Sequence, residues 1–244
     1  FPQRPRREGQ PMRSESSARR DLAACHVLLA RHGMSDLFVT HVSLRIDGED
    51  AYLLSPFGVL FEDVTPESLV KVPLYSDASA SQNETAVRIH GPLQRAGNAA
   101  VVHTHTVAGN AVACHPDGLL PVTQKAMLVL PFVRTHEYNA LALDDDEGEA
   151  MQASLGSEAR VLILRNHGLL TTGSNMGEAF LWMEWMERAC QYQVALPANP
   201  VVPSNDAIEQ TFEQSRRVLG RGGPLDFALP VYWEGLMRSL ARRP

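Results

Sequence analysis

Two histidines separated by one residue close an apolar run and narrowly limit what this part of the chain can form. The run reads VVHTH over residues 101–105. Because side chains alternate along a β-strand, His103 and His105 would point to the same face of a sheet. Two imidazoles on one face can bind a single metal ion together. The spacing therefore predicts a buried strand that ends in half of a metal site.

A third histidine, His167, closes a second apolar run, which reads ARVLILRN over residues 159–166. If a second strand brings His167 beside the first pair, three corners of a tetrahedral or five-coordinate site are filled. Three protein ligands leave a position open for water or substrate, which is typical of a catalytic metal. The three histidines therefore indicate a metal-dependent enzyme, and hydrogen-bonded core histidines are the alternative interpretation.

Composition excludes several other classes of protein. The chain has 244 residues, of which 44% are hydrophobic and 20% charged, as in a soluble globular protein. Its net charge of −6 argues against a nucleic-acid partner. No apolar stretch approaches the roughly 20 residues of a membrane helix. We expect a flexible basic tail over residues 1–16 and a single domain over residues 17–244.

The cysteines indicate the compartment in which the protein works. There are three, Cys25, Cys114 and Cys190, and each lies in an apolar context. An odd number at irregular spacing provides no disulfide framework. Free buried cysteines are typical of a reducing compartment, so we expect a cytoplasmic protein.

Hydrophobic periodicity, caps and breakers predict alternating helices and strands. The predicted helices cover residues 17–32, 82–94, 108–114, 149–155, 177–195, 207–219 and 233–240, with one or two further turns over residues 65–70. The predicted strands cover residues 38–46, 50–55, 71–75, 99–105, 127–135 and 161–165. The acidic run at residues 144–147 is interpreted as a solvated helix cap rather than a metal site.

Longer motifs surround these histidines. They read SLR over residues 43–45, SPFGVLF over 55–61, VVHTHT over 101–106, GLLPVTQ over 118–124 and LRNHGLL over 164–170. In this order, between about residues 19 and 195, they resemble the class II aldolase/adducin family, which includes fuculose phosphate aldolase and ribulose phosphate 4-epimerase. The resemblance implies an α/β fold in three layers, with a central, mainly antiparallel sheet flanked by helices. It also implies a homotetramer with the site near a subunit interface.

The resemblance assigns roles to particular side chains. It implies that His103, His105 and His167 bind one divalent ion per subunit, with Zn²⁺ favoured and Fe²⁺, Mn²⁺ or Co²⁺ as alternatives. Family aldolases carry an acid/base glutamate 19 residues before the first metal histidine, which corresponds to Glu84. A second count, four residues before the helical His90, gives Ala86. We favour Glu84 because the site needs a carboxylate and this helix has no other.

Two more residues receive functional roles from the same comparison. Arg45, in the SLR motif, is predicted to bind a substrate carboxylate, with a structural role as the alternative. Tyr138 is predicted to donate a proton from a neighbouring subunit, with simple packing as the alternative.

The positions that bind phosphate in family aldolases are changed here. An asparagine before the SLR motif is replaced by His41, and a hydroxyl residue is replaced by Phe57. A serine pair before the glutamate is replaced by Gln82 and Asn83. Each change removes a small hydrogen-bond donor that a phosphate needs. The chain is therefore closer to the adducin-like branch, and its small hydroxy-carbonyl substrate need not be phosphorylated.

These observations predict a metal-dependent aldehyde-lyase that stabilises an enediolate or enolate while a carbon–carbon bond is cleaved. Decarboxylation uses the same stabilisation without a proton-abstracting base, and epimerisation is a further alternative. Three histidines can also hold Fe(II) for oxygen chemistry. The alternative outside enzymology is a non-catalytic, adducin-like association domain.

Overall fold

One seven-stranded sheet carries helices on both faces in the part of the chain that is described. A computed structural model describes residues 13–81, 83–143, 145–220 and 222–242. The helices are α1 (Glu15–Arg31), α2 (Glu84–Arg95), α3 (Val107–Ala113), α4 (Gln124–Val129), α5 (Asp145–Leu155), α6 (Met176–Ala195), α7 (Asn205–Leu219) and α8 (Pro224–Ala241). The strands are β1 (His41–Arg45), β2 (Ala51–Leu54), β3 (Val70–Pro73), β4 (Ala100–Thr104), β5 (Val133–His136), β6 (Val161–Leu164) and β7 (Gly168–Gly173). None of these described helices is long and apolar enough to cross a membrane.

The strands follow the order β3-β2-β1-β4-β7-β6-β5 across the sheet. The pair β5–β6 is parallel, and every other neighbouring pair is antiparallel. The predicted α/β fold with a mainly antiparallel central sheet is therefore confirmed. In the pairing of β1 with β4, His41 lies directly opposite His103. The middle of the sheet thus carries two histidines side by side.

The alternation of side chains separates the two layers of helices. Val42, Leu44 and Val102 belong to a core shared with α1, α3 and α6 on one face. Val101 belongs to the core on the other face, which α2 and α5 cover. Because His103 is two residues beyond Val101, it shares this second face. The first predicted metal ligand therefore lies in the layer between the sheet and α2.

The prediction of a strand over residues 127–135 is wrong for the first part of that segment. Helix α4 extends to Val129, a 3-10 turn covers Leu130–Phe132, and β5 begins only at Val133. Thr123 starts the helix by accepting a backbone hydrogen bond with its side chain. A short apolar run that is buried looks the same whether it is a strand or a helix, so periodicity could not separate the two. The predicted helical turns at residues 65–70 are likewise only a hydrogen-bonded turn.

The predicted boundary between tail and domain lies near the start of α1. Residues 1–12 lie outside the described residues, so the prediction for most of the tail has no counterpart in the structure. Helix α1 begins at Glu15, two residues before the predicted start. The Arg13 backbone N–H donates to Asp47 Oδ2 at 2.8 Å. The chain is thus attached to the β1–β2 turn before α1 begins.

Candidate metal centre

Three histidines converge at one end of β4, in the middle of the sheet. One ring nitrogen from each of His103, His105 and His167 lies within 4.8 Å of the other two. Three such atoms always have a common point within about 2.8 Å of each of them, and Zn–N bonds are about 2.0–2.1 Å long. One ion can therefore contact all three nitrogens after small side-chain shifts.

His103 and His105 come from β4 and from the segment that directly follows it. His103 is fully buried within the strand, whereas the His105 side chain is 18% exposed beyond the strand end at Thr104. Their ring centroids lie 4.5 Å apart. The alternation of the strand thus continues past its last ladder position, and both rings lie on one side as their spacing predicts.

His167 reaches the cluster from the tight turn between β6 and β7. Leu164 pairs with Gly168 across this turn. Asn166 adopts the left-handed conformation, with φ of 55°, which asparagine tolerates better than most residues. The Arg165 guanidinium donates to the backbone oxygen of Pro116 at 2.8 Å and so holds the turn against the loop after α3. The His167 ring centroid then lies 4.8 Å from that of His103.

Replacing Gly168 with alanine is expected to lower the free energy of unfolding by about 2–3 kcal/mol. The added Cβ would lie 2.4 Å from the Thr104 carbonyl oxygen and 3.0 Å from His105 Cδ2, and the φ of +154° favours glycine. Urea unfolding measures the loss. The matched control is Gly235→Ala in α8, where the nearest atom would be 3.8 Å away. Equal stability of the two variants would contradict the close approach at the turn.

Hydrogen bonds fix which nitrogens of the first pair carry protons. His103 Nδ1 lies 2.9 Å from the Leu169 carbonyl oxygen, which can only accept, so the proton is on Nδ1. His105 Nδ1 lies 3.5 Å from Asp36 Oδ2, which favours the same assignment. Both Nε2 atoms therefore present lone pairs, and they lie 2.8 Å apart. Two lone pairs at this distance repel each other, so the space beside them suits a cation.

Replacing Asp36 with alanine is expected to weaken zinc binding by about tenfold to a hundredfold. A carboxylate that accepts from the outer nitrogen of a ligand histidine fixes the ring and raises its basicity. Competition with a chromophoric chelator measures the affinity. The control is Asp50→Ala, since Asp50 is 79% exposed and pairs with Arg45. Unchanged affinity in the Asp36 variant would contradict the role assigned to this carboxylate.

Burial keeps the histidines of the cluster neutral, which is the form that binds metals. It lowers the pKa of His103 well below the usual value, and the neighbouring His41, His105 and His167 act in the same direction. Burial lowers the pKa of His167 to about 4. Burial also lowers the pKa of His105, although Asp36 opposes the shift. The lone pairs are therefore available at neutral pH.

The structure does not bring Glu84 to this cluster. Glu84 opens α2, its side chain is 47% exposed, and it accepts from Arg88 Nε at 3.1 Å. Ala86 and His90, four residues apart, lie on the buried side of the helix. The count from His90 thus agrees with the orientation of α2, and that count gives an alanine. The acid/base role of Glu84 stays a prediction.

Arg45 and Tyr138 also lie outside the three-histidine group. The Arg45 guanidinium contacts Asp50 Oδ1 and the Gln94 carbonyl oxygen, at 3.3 and 3.4 Å. Tyr138 follows β5 and is 51% exposed, so its side chain faces solvent in the single chain. A substrate contact for Arg45 and a proton-donor role across subunits for Tyr138 stay predictions.

Sequence reasoning missed His41 as a neighbour of the cluster. Its ring centroid lies 4.9 Å from that of His103 and 4.8 Å from that of His90. The sequence comparison identifies His41 only as the residue that replaces a phosphate-binding asparagine. One clue to its position is the alternation of side chains along β1, which places His41 and Ser43 on the same face. The strand register that aligns His41 with His103 is not encoded in either segment alone.

The acidic run also contributes to the surroundings of the site. Helix α5 begins at Asp145, so the run occupies its first turn, and Asp144 lies outside the described residues. Glu147 is only 13% exposed and lies 2.9 Å from His136 Nε2. Its charge acts to raise the pKa of His167, against the effect of burial. The interpretation of the run as a solvated cap is therefore wrong for Glu147.

A family comparison agrees with the geometry. Residues 20–194 match the family described as Class II Aldolase and Adducin N-terminal domain. The matched region contains all seven strands of the described sheet and the three histidines. The match therefore covers the sheet and the proposed site together.

Individual relatives extend this match. The chain is 36% identical to a Pseudomonas aeruginosa protein assigned by name to aldolase class 2, covering 96% of this chain and 92% of the relative. It is also 36% identical to alpha-adducin from Rattus norvegicus, covering 79% of this chain and 27% of adducin. The crystal structure of an aldolase II superfamily protein from Pseudomonas syringae superimposes with a TM-score of 0.83 at 34% identity, covering 96% of this chain and 95% of that one.

Proposed function

Since the chain belongs to the class II aldolase and adducin family, we propose that it is a divalent-metal-dependent lyase of the aldolase type. Its substrate would be a small hydroxy-carbonyl compound that is cleaved at a carbon–carbon bond. The observation that carries the proposal is the pair of lone-pair nitrogens, His103 Nε2 and His105 Nε2, at 2.8 Å. A scaffold that only binds proteins gains nothing from two acceptor nitrogens in contact, one of them fully buried.

The three histidines fit a metal ion by their chemistry as well as their spacing. Neutral imidazole suits Zn²⁺, and we propose Zn²⁺ as the resident ion, with Fe²⁺, Mn²⁺ and Co²⁺ as alternatives. A bound divalent ion supplies Lewis-acid polarisation of the carbonyl and the neighbouring hydroxyl oxygen. The Leu169 carbonyl and Asp36 would hold the His103 and His105 rings in their ligand tautomers. Burial of His103 would exclude water from the inner side of the site.

Proton transfer in this reaction would need an acid/base group in addition to the three histidines. We retain Glu84 and Tyr138 as proposed acid/base groups and Arg45 as a proposed substrate contact. The Arg88 ion pair of Glu84 supports a second candidate, metal-dependent decarboxylation, since loss of CO₂ yields the enolate without a base. The two reactions predict different results for Glu84→Gln. Activity is lost if the protein is an aldolase, which needs the carboxylate, and is kept if it is a decarboxylase.

The surroundings of the site support an unphosphorylated substrate. Phe57, which replaces a phosphate-binding hydroxyl residue, is 57% exposed, and His41 is buried against other histidines.

We also propose a homotetramer in the cytoplasm, on the basis of the family resemblance and three unpaired cysteines. An adducin-like association domain is the competing proposal, which the resemblance to alpha-adducin supports.

Metal analysis and hydrogen exchange test the proposal together. The purified protein is expected to contain about one zinc ion per chain, and to catalyse deuterium exchange at the carbon next to the carbonyl of hydroxyacetone or dihydroxyacetone. Dialysis against a chelator should abolish both, and added Zn²⁺ should restore both. Absence of a stoichiometric divalent ion would leave the association domain as the better explanation. Exchange that persists in the metal-free protein would contradict the Lewis-acid role.

A further inference from the structure

A chain of four buried polar side chains leads from α2 to the edge of the three-histidine cluster. Gln94 Nε2 donates to Ser43 Oγ at 2.8 Å, and Ser43 Oγ lies 2.6 Å from His90 Nδ1. His90 Nε2 lies 2.8 Å from His41 Nδ1. None of the four side chains belongs to the proposed metal ligands, and each residue is at most 4% exposed. This series of hydrogen-bonded side chains is therefore shielded from water along its length.

The amide at the far end sets the direction of these hydrogen bonds. An amide nitrogen can only donate, so Ser43 Oγ accepts from Gln94 and has its own proton left to donate. His90 Nδ1 is the acceptor at hand, and a buried hydroxyl donates because an unmade hydrogen bond is costly. His90 then carries its proton on Nε2 and donates to His41 Nδ1. His41 must therefore carry its own proton on Nε2.

This Nε2–H is carried by a ring that lies beside the three-histidine cluster. It is on the side of the His41 ring opposite His90, and the ring lies 4.9 Å from that of His103, its partner across the two strands. No described residue provides a hydrogen-bond partner for it. The neighbouring His103 and His105 present lone pairs, whereas His41 presents a donor. Hydrogen-bond acceptors and a hydrogen-bond donor thus lie close together, on different histidines.

We propose that His41 is a hydrogen-bond donor to an anionic oxygen of the substrate, and that Ser43 and Gln94 are positioning residues that set its tautomer. This proposal rests on the proposed function, because it concerns the same site. The fitting ligand is a small hydroxy acid or hydroxy-ketone that develops negative charge on oxygen. A fixed donor in a water-poor site stabilises such charge at no cost in reorganisation. The phosphate-binding asparagine is thus replaced by a group suited to a carboxylate or enolate oxygen.

The opposite arrangement is chemically distinct. If the Gln94 amide were turned over, every bond in the chain would reverse, and His41 would carry its proton on Nδ1. A lone pair on Nε2 would then face the cluster and suit a fourth metal ligand instead of a substrate contact. In the structure the amide nitrogen faces Ser43 at 2.8 Å, and Gln94 Oε1 points away from Ser43, buried without a partner among the described residues.

Nitrogen NMR of the metal-free protein decides between the two arrangements. Protonated and unprotonated ring nitrogens differ widely in ¹⁵N chemical shift, and the His41 signals are assigned by their loss in His41→Phe. We expect His41 to carry its proton on Nε2. In Gln94→Glu at about pH 10, above the raised pKa of a buried carboxyl, the ionised carboxylate only accepts, so the proton should move to Nδ1. The matched control is Asn98→Asp, a buried amide that bonds Leu93 and Gln152 instead.

A proton on Nδ1 of His41 in the wild type would overturn the proposal. An unchanged tautomer in Gln94→Glu would also overturn it, since the direction would then not come from this residue. Both measurements use the metal-free protein, so their result does not depend on whether the protein is an aldolase.

Ligand binding tests the second half of the proposal. Acetohydroxamate, which offers two adjacent oxygen atoms to a metal, is titrated calorimetrically into the zinc-loaded protein. His41→Phe is expected to keep one zinc ion per chain and to bind the hydroxamate about tenfold to a hundredfold more weakly, the value of a hydrogen bond to a charged group. Equal hydroxamate affinity would contradict the donor role, and loss of zinc would identify His41 as a ligand. If the wild type binds no zinc, the proposed function fails instead.

Discussion

Replacing His103 with alanine is expected to remove the bound ion and to lower activity by at least about a thousandfold. His103 is the only one of the three proposed ligands that is fully buried, and its ring contacts those of the other two. Two imidazoles hold a divalent ion far less tightly than three, and Lewis-acid stabilisation of about 4 kcal/mol corresponds to this loss of rate. Zinc per chain and deuterium exchange from hydroxyacetone are the measurements.

A buried histidine elsewhere provides the control for this variant. His26 is fully buried, with its Nε2 2.7 Å from Ser55 Oγ, and it is not part of the cluster. His26→Gln should therefore reduce stability without changing zinc content. His105→Ala repeats the test at a partly exposed ligand, where folding is less at risk. If the His103 and His105 variants kept the ion and the activity, the metal centre would have to lie elsewhere.

Acidification is expected to destabilise the metal-free protein strongly between pH 6.5 and pH 4. Burial lowers the pKa of His26 to about 4 and that of His90 to about 3, against about 6.5 in an unfolded chain. Within this window the unfolded chain binds more protons than the folded one, so stability falls as the pH falls. Between pH 7.5 and pH 5, each of these two histidines contributes a loss of about 2 kcal/mol.

Urea unfolding at several pH values measures this effect, and the His26→Gln variant isolates one contribution. In that variant the loss of stability between pH 7.5 and pH 5 should be about 2 kcal/mol smaller than in the wild type. Zinc in excess should raise the stability by a nearly constant amount above pH 6, because the ion binds only the folded protein, whose histidine ligands are already neutral there. A stability that does not change over this pH range would contradict the lowered pKa values of these two rings.

Much of the centre could be predicted because it is encoded locally. The spacing of His103 and His105 follows from the alternation of a strand, and His167 lies in a short turn between two apolar strands. Local sequence predicts secondary structure less well where all residues are buried, because the hydrophobic pattern then shows no period. The run ending in Val133 is apolar in both its helical and its extended part, and only the Thr123 cap separates them.

The remaining features depend on contacts between distant segments. Nothing near residue 41 indicates that β1 aligns His41 with His103, because that register is set by the whole sheet. The role of Gln94 follows only from its distance to Ser43, which is 51 residues away. The acid/base role of Glu84 stays a prediction: the count of 19 residues from His103 gives this residue, whereas Ala86 and His90 share the buried side of α2.

The position of His105 and His167 beyond the last rungs of their strands has an evolutionary consequence. Neither ring belongs to the ladder of β4, β6 or β7, so either can be exchanged while the sheet keeps its pairing. A single codon change at one of these positions would end the proposed chemistry and leave the sheet intact. A lineage could therefore lose the proposed catalysis in one step and keep the fold for another role.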